Sequence, residues 1–281
     1  MISRSFLRSL ALAAGATGLT ADGKFDPATG EFGSSMIAAS LPDLSIVNYF
    51  APANVQRVYK LDLGITAGSP VWFKYRNYEL VAGGGKEGVL FMLDANFLGG
   101  RDHQTPLFTT PRLANDTASY NMRGIRGAPA YWQDDSGQVW IFVPIWGPES
   151  KDAPQFPMTN GPRPHGCIMA FKVVLDKVSM KPVLTPAWVS SDFKLPDPPI
   201  VAIGIVFALP RGRNADQRTN RLESSGHAVY YALDAKKGQT LYDSDNEMRG
   251  WVHFSGLAES NGLVYAVDHN SWVYCFGPKE N

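Results

Sequence analysis

The stretch HAVYYALDAKKGQTLYDS, His227–Ser244, decides the fold. His227–Ala235 alternates apolar and polar residues, Lys236-Lys237-Gly238-Gln239 supplies a turn, and Thr240–Ser244 resumes the alternation. A period of two marks a half-buried strand, so the segment reads as two antiparallel strands joined through a glycine-bearing turn. Downstream, Phe254–Glu259 and Leu263–Asp268 flank Asn261-Gly262, a pair that accepts positive φ and closes a two-residue hairpin. Ser271–Gly277 (SWVYCFG) adds one more strand.

The same unit recurs upstream. Ser69–Phe73, Glu79–Gly83, Gly88–Ala95 and Pro106–Thr110 read as one set of four strands. Ala128–Trp132, Gln138–Trp146, Cys167–Val174 and Thr185–Ser191 form a second, and Pro199–Ile203, Gly204–Leu209, His227–Ala235 and Thr240–Ser244 a third. GVLFMLDA, GCIMAFKV, AVYYALDA and SWVYCFG hold one equivalent place in successive units. Repeated sets of four short strands predict an all-β chain folded as a β-propeller. A twisted four-stranded blade has two apolar faces, and it buries both only by stacking between neighbours. A partial blade over Ser34–Pro52 precedes the three complete ones, and another follows that lacks its outer strand. About 4–5 blades stand at or below the usual range of roughly 4–8. The expectation is therefore a partial ring, truncated from a larger, eight-bladed type, unless another chain or Met1–Thr20 closes it. Gly147–His165 and Arg211–Gly226, rich in Pro, Asn and charge, are expected as insertions on the rims.

Composition agrees with this class. In 281 residues, 44% are hydrophobic, 12% aromatic and 19% charged, with 27 Gly and 20 Pro, which suits many short strands and irregular loops rather than disorder. The 26 basic and 26 acidic residues cancel, so no basic field favours nucleic acid or an anionic membrane surface. No stretch approaches the roughly 18 apolar residues of a membrane span. Residues 1–20 carry Arg4 and Arg8 before an apolar run, Leu10–Leu19, and read either as a secretory signal or as a leftover propeller strand. Cys167 and Cys275, far apart in sequence, read either as one long-range disulfide or as two buried thiols.

The segment from Tyr231 to Tyr242 resembles the repeat of the pyrroloquinoline-quinone (PQQ) dehydrogenases, whose core reads roughly ALDxxTGxxLW. Lys237 stands at the Thr position and Tyr242 at the Trp position. In that family the Trp docks blade to blade from the outer strand, a role the resemblance gives to Tyr242 in weaker form. Val264–Gly277 (VYAVDHNSWVYCFG) is similar to the strand pair that follows it. The first half resembles quinoprotein alcohol dehydrogenases: Ala16-Thr17-Gly18 with Asp22-Gly23 and Phe25-Asp26-Pro27, then SSMIAASL (Ser34–Leu41), Tyr49-Phe50-Ala51-Pro52, Leu61-Asp62-Leu63-Gly64, and Gly85–Asp94. The resemblance implies an extracytoplasmic, periplasmic or secreted protein and two site residues. Asp62 matches the general base that takes the alcohol proton as hydride passes to PQQ, with Ca²⁺ polarising the quinone. Lys86 matches the cation on the cofactor's quinone oxygens. The chain also departs from the family. Leu19 follows Thr17-Gly18 where a calcium-ligating Asn is usual, leaving Asp22 as a substitute oxygen donor, and the vicinal cysteine pair that covers PQQ is absent.

Two histidines at strand entries, His165 after a Pro-rich loop and His253 in Val252–Gly256, are further candidates for lining the central channel; otherwise they bond to nearby backbone. Asp22 and Asp26 with Gly23 and Gly30 read as a small calcium loop or a plain turn. No GxSxG, HExxH, P-loop or Rossmann fingerprint appears. Two function classes remain. One is a binding or scaffold propeller without a complete cofactor site, meeting protein partners through its face, like the PQQ-repeat lipoproteins of outer-membrane protein assembly. The other is a PQQ- and calcium-dependent alcohol or sugar dehydrogenase.

Overall fold

A computed structural model describes residues 11–14, 24–40, 43–212 and 225–278. The strands form five blades. The first comprises β1 (Ala11–Ala14), β4 (Met36–Ala39) and β5 (Ile46–Phe50), with a ribbon of β2 (Phe25–Asp26) and β3 (Glu31–Phe32) inserted after β1. A short helix, α1 (Val55–Lys60), leads to the second blade: β6 (Val71–Tyr75), β7 (Tyr78–Gly84), β8 (Leu90–Asp94) and β9 (Phe108–Thr109). The third holds β10 (Gly124–Ile125), β11 (Ala130–Gln133), β12 (Val139–Trp146), β13 (Met158–Thr159), β14 (Gly166–Leu175) and β15 (Pro182–Val189). The fourth is β16 (Ile200–Ala202), β17 (Ile205–Ala208), β18 (Tyr231–Asp234) and β19 (Thr240–Asp243), and the fifth β20 (Leu257–Ser260), β21 (Leu263–Val267) and β22 (Val273–Phe276). The propeller expectation holds, and the four strands placed in equivalent positions by sequence are the third strands β8, β14, β18 and β22.

Strand alternation builds the blade interfaces. In β8, Leu90 and Met92 face the third blade while Phe91 and Leu93 face the first. In β12, Val139, Ile141, Val143 and Ile145 pack on the second blade, and Trp140 and Phe142 on the fourth. Val206 and Ala208 of β17 turn to the third blade, and Phe207 with Leu209 to the fifth. Each fully buried large side chain contributes on the order of 1.5–3 kcal/mol, and a one-residue register slip would exchange both interfaces at once. The face of the fifth blade that turns away from the fourth leaves Val267, Val273 and Cys275 exposed.

Local devices repeat with the blades. Third strands end in aspartates whose carboxylates accept turn amides: Asp94 Oδ1 from Asn96 at 2.9 Å, and Asp234 Oδ1 from Lys236 and Lys237 at 2.8 Å each. Asp176, just past β14, accepts from Ser179 at 2.7 Å in the same way. Trp188 of β15, fully buried, docks on the turn of the fourth blade, donating from Nε1 to the Ala235 carbonyl at 2.9 Å. Tyr242, one blade on, stays 37% exposed; its hydroxyl bonds nearby Glu247 at 3.1 Å and its ring lies 6.5 Å from Phe276 of the fifth blade. Asn261 and Gly262 both take left-handed φ, at 54° and 77°, in the predicted hairpin.

Two expectations are corrected. The strand expected through Ile203 ends at Ala202, because Ile203 and Gly204, both at positive φ, form the two-residue turn to β17. The 147–165 insertion is not wholly a rim loop: Met158-Thr159 pair parallel to β15 and extend the sheet outward. One helix, α1, was not legible in the pattern. Of the signal-or-strand segment 1–20, the described residues Ala11–Ala14 pair antiparallel with β4.

First strands of successive blades touch, β6 with β11, β11 with β16 and β16 with β20, so they lie innermost. Because strands alternate direction, every link between the second and third strands emerges on the same side as every link between blades. That side is the loop face, and it gathers Asp62, Lys86, His165 and His253.

Candidate functional site on the loop face

Asp62 is placed by the end of α1. The Asp62 amide donates to Tyr59 at 3.0 Å and Leu63 to Val58 at 2.7 Å, while Asp62 takes a left-handed φ of 53°. Buried Leu63 and Ile65 anchor the following residues, which leaves the carboxylate outward. Lys86 rides the turn between β7 and β8. Its amide donates to Gly64 at 3.4 Å and that of Glu87 to Leu63 at 3.2 Å, lacing the two segments together. Gly85 permits this approach, since a Cβ there would stand 2.1 Å from the Gly64 carbonyl oxygen. The Lys86 ammonium consequently meets Asp62 Oδ1 at 2.6 Å, with Lys86 19% and Asp62 65% exposed. Lys86 sits in the turn between the second and third strands of its blade.

Neighbouring polar groups are already engaged. Glu87 accepts from Arg57 at 2.7 Å and from Asn54 Nδ2 at 3.0 and 3.1 Å. Asn115 donates to the Lys86 carbonyl at 2.6 Å and to Ser119 at 2.8 Å. The pair of Asp62 and Lys86 has the charge types that a quinone and its substrate hydroxyl would contact. A calcium ion would need six to eight oxygens, and among the described residues no three Asp, Glu, His or Cys side chains converge. Among the described residues the pair offers the charge types of the quinone contacts, and no such cluster for the metal is found. Asp22, the substitute ligand, lies outside the described residues.

His165 takes part in a second arrangement. Its amide donates to Asp192 Oδ1 at 2.8 Å, and its Nδ1 lies 2.7 Å from Asp192 Oδ2. It lines a cavity of about 340 Å³ together with Ser119, Asn121, Arg123 and Lys194. His253 is not in that lining; it packs in an aromatic group, its ring 4.4 Å from Phe254 and 6.0 Å from Trp251. The structure thus joins Asp62 with Lys86, and leaves His165 and His253 in separate surroundings. Sequence reasoning missed Arg123 and Lys194, and it missed Arg211, which is fully buried and ion-paired to fully buried Asp197. Both cysteines are free: Cys167 is buried, its thiol pushed well above the usual range by burial, and Cys275 is exposed.

The chain is a β-propeller of four-stranded blades, the architecture that its repeat resembles. No family model matches the sequence, and no curated protein matches it. Among solved structures it is similar to BamB from Moraxella catarrhalis, with 14% identity and a TM-score of 0.42, over 88% of this chain and 59% of that one. It is similar also to quinohemoprotein alcohol dehydrogenase from Comamonas testosteroni, with 11% identity and a TM-score of 0.39, over 83% and 38%. A europium-containing methanol dehydrogenase matches with 9% identity and a TM-score of 0.42, over 86% and 43%. The chain spans less than two thirds of the length of each of these three.

Proposed function

We propose that the protein is an extracytoplasmic binding or scaffold propeller related to the quinoprotein dehydrogenases, without a complete cofactor site, that meets protein partners through its loop face. The observation that carries this reading is the closed Asp62–Lys86 pair. A general base must turn a carboxylate oxygen to the substrate hydroxyl, and here Asp62 Oδ1 is turned to the Lys86 ammonium at 2.6 Å, which leaves only Oδ2 for it. A cofactor-binding cation must likewise leave its own carboxylate partner. Placement outside the cytoplasm rests on the repeat resemblance. Among the described residues no helix is long and apolar enough to cross a membrane, and the balanced charge disfavours nucleic acid.

The second reading, a PQQ- and calcium-dependent alcohol or sugar dehydrogenase with Asp62 as base and Lys86 on the cofactor, is favoured by the juxtaposition of those two residues. Titration with PQQ and Ca²⁺, followed by ethanol or glucose and an artificial electron acceptor, separates the two. The expected result is no quinone absorbance shift and no dye reduction. A shift with substrate-dependent reduction that Asp62→Asn abolishes would replace the first reading with the second.

A further inference from the structure

The geometry points to a strand-docking edge on the fifth blade: we propose that β22 takes an extended segment of a partner protein, carrying an aromatic residue, as its antiparallel outer strand. The edge lies on the circumference of the propeller, so its test leaves the reading of the loop face untouched. In the second, third and fourth blades the third strand is flanked by an outer one, β9, β15 or β19. The fifth blade is a sheet of β20, β21 and β22, and among the described residues no strand pairs with the outer edge of β22. The ladder fixes which groups that edge offers. The Asp268 amide donates to the Trp272 carbonyl at 3.0 Å, and Tyr274 and Phe276 stand opposite Ala266 and Val264. By the alternation of an antiparallel pair, Trp272, Tyr274 and Phe276 turn their backbone groups to β21, and Val273 and Cys275 turn theirs outward. Ser271–Gly277 contains no charge and no proline, the devices that ordinarily blunt an exposed edge.

The complete blades show what such a strand carries. Met92 stands opposite Phe108, Ala170 opposite Trp188 and Ala232 opposite Tyr242, and these aromatics lie toward the following blade. Cys275 holds the place of Ala232: it stands opposite Tyr265 as Ala232 stands opposite Phe207. An aromatic opposite Cys275 would therefore cover the face on which Val267, Val273 and Cys275 are exposed. The neighbouring interface argues for the same occupant. Trp188 is fully buried against the fourth blade, whereas Tyr242, in the same position one blade on, remains partly exposed. A strand beside β22 would continue the interface of the fourth and fifth blades outward over Tyr242. A second copy of β22 does not supply the aromatic. Antiparallel pairing of two such edges sets Val273 and Cys275 against each other, or against Ser271 and Gly277, because Trp272, Tyr274 and Phe276 have the opposite parity. The chemistry required is that of strand addition: main-chain hydrogen bonds for affinity and one aromatic side chain for specificity.

Fluorescence anisotropy of the full chain with a labelled, acetylated peptide, Thr-Val-Thr-Trp-Thr-Val-Thr, tests the edge. The expectation is saturable one-to-one binding, weaker by about tenfold when Thr replaces the Trp. Cys275→Pro removes an outward amide without touching a bond to β21, and Val273→Lys places a charge on the edge. Each weakens binding by about tenfold or more, while Val178→Lys, in the exposed turn after β14, leaves it unchanged. Far-UV circular dichroism checks that the variants fold, and Val273→Lys serves if Cys275→Pro does not. Saturating peptide also slows the reaction of the Cys275 thiol with a chromogenic disulfide by about tenfold, since a strand beside β22 covers it. Absence of saturable binding, equal weakening in Val178→Lys, or a Cys275 rate that the peptide leaves unchanged overturns the proposal. Equal affinity for the Trp and Thr peptides overturns the aromatic requirement. A dimer in sedimentation that Val273→Lys dissociates assigns the edge to a second copy and overturns the partner strand.

Discussion

The docking of Trp188 on the fourth blade makes a quantitative test of how neighbouring blades hold together. The indole is fully buried, donates to Ala235 at 2.9 Å and packs 5.7 Å from the Phe142 ring. Gly238 lies against its flat face: a Cβ there would stand 2.3 Å from Trp188 Cε3, and Gly238 has φ of 69°. Trp188→Ala should therefore cost about 3–5 kcal/mol through lost burial and the cavity left behind. Trp188→Phe, losing the hydrogen bond and part of the ring, should cost about 1–2 kcal/mol. Gly238→Ala carries two penalties: about 1–2 kcal/mol for a left-handed L-residue, and about 1–3 kcal/mol for a clash with an indole that has nowhere to go. The two sites are coupled in a predictable direction. Once Trp188 is alanine the indole clash vanishes, so Gly238→Ala then costs its backbone part and the lesser contact with Asn160 Nδ2 at 2.9 Å, leaving a coupling of about 1–3 kcal/mol. Urea unfolding of the four proteins, followed by far-UV circular dichroism, reads this as shifts in midpoint at constant slope. If Gly238→Ala costs the same with and without the indole, the docking account is wrong.

Acid stability should depend on Asp134, in the turn between β11 and β12. Burial pushes its carboxyl up, but Ser136, Trp140 and Gln138 donate to it and together hold it at about 2, against 3.8 for an ordinary aspartate. With the folded value below the unfolded one, the stabilisation is fully present above pH 3.8 and is lost as pH falls toward about 2; it amounts to about 2 kcal/mol. The urea midpoint of the native protein should drop across that window, and Asp134→Asn should show a lower midpoint at pH 7 and a flatter profile in acid; parallel profiles would exclude the mechanism. Thiol titration with a chromogenic disulfide should count one fast-reacting group, Cys275, in the native state and a second, Cys167, only in denaturant. Two fast thiols, or none, would contradict the assignment.

The blades were legible because period-two alternation and turn residues are local signals. GVLFMLDA and AVYYALDA carry their strand, their terminal aspartate and their turn within a dozen residues. Asn261-Gly262 announced its hairpin for the same reason, whereas Ile203 did not: a β-branched residue at positive φ runs against propensity, and only the register of β16 with β17 imposes it. Met158-Thr159 escaped notice because a two-residue strand has no period, and its parallel pairing with β15 is a tertiary choice. Asp62 and Lys86 were found separately through resemblance, but their contact needed the ladder between 63–64 and 86–87. Arg123 and Lys194 had no signal at all. Cations in polar links look like solvated loop residues until the fold brings those links around one cavity.

The loop face is also where the structure accepts its most expensive interaction. Fully buried Asp197 and Arg211 come from the third-to-fourth link and from the loop after β17. Desolvating such a pair costs several kcal/mol per ion, and an apolar pair of similar volume would often be as stable. Stability alone therefore does not explain the choice; geometry does. The Arg211 guanidinium lies 4.6 Å from the Trp146 ring and 4.2 Å from that of Phe254, while Arg126 lies 5.0 Å from Trp146. Trp146 in turn donates to the Pro196 carbonyl at 2.8 Å, and Asp197 accepts from the Gly256 amide at 3.4 Å. Three inter-blade links, the loop after β17 and the end of β12 are thus fixed by directional contacts that an apolar cluster would not specify. Loops held this way bind without first paying to become ordered. The buried pair lies beneath the connecting loops rather than within the blades, where packed strands already supply rigidity, and it fixes the loops of the face proposed above to meet partners.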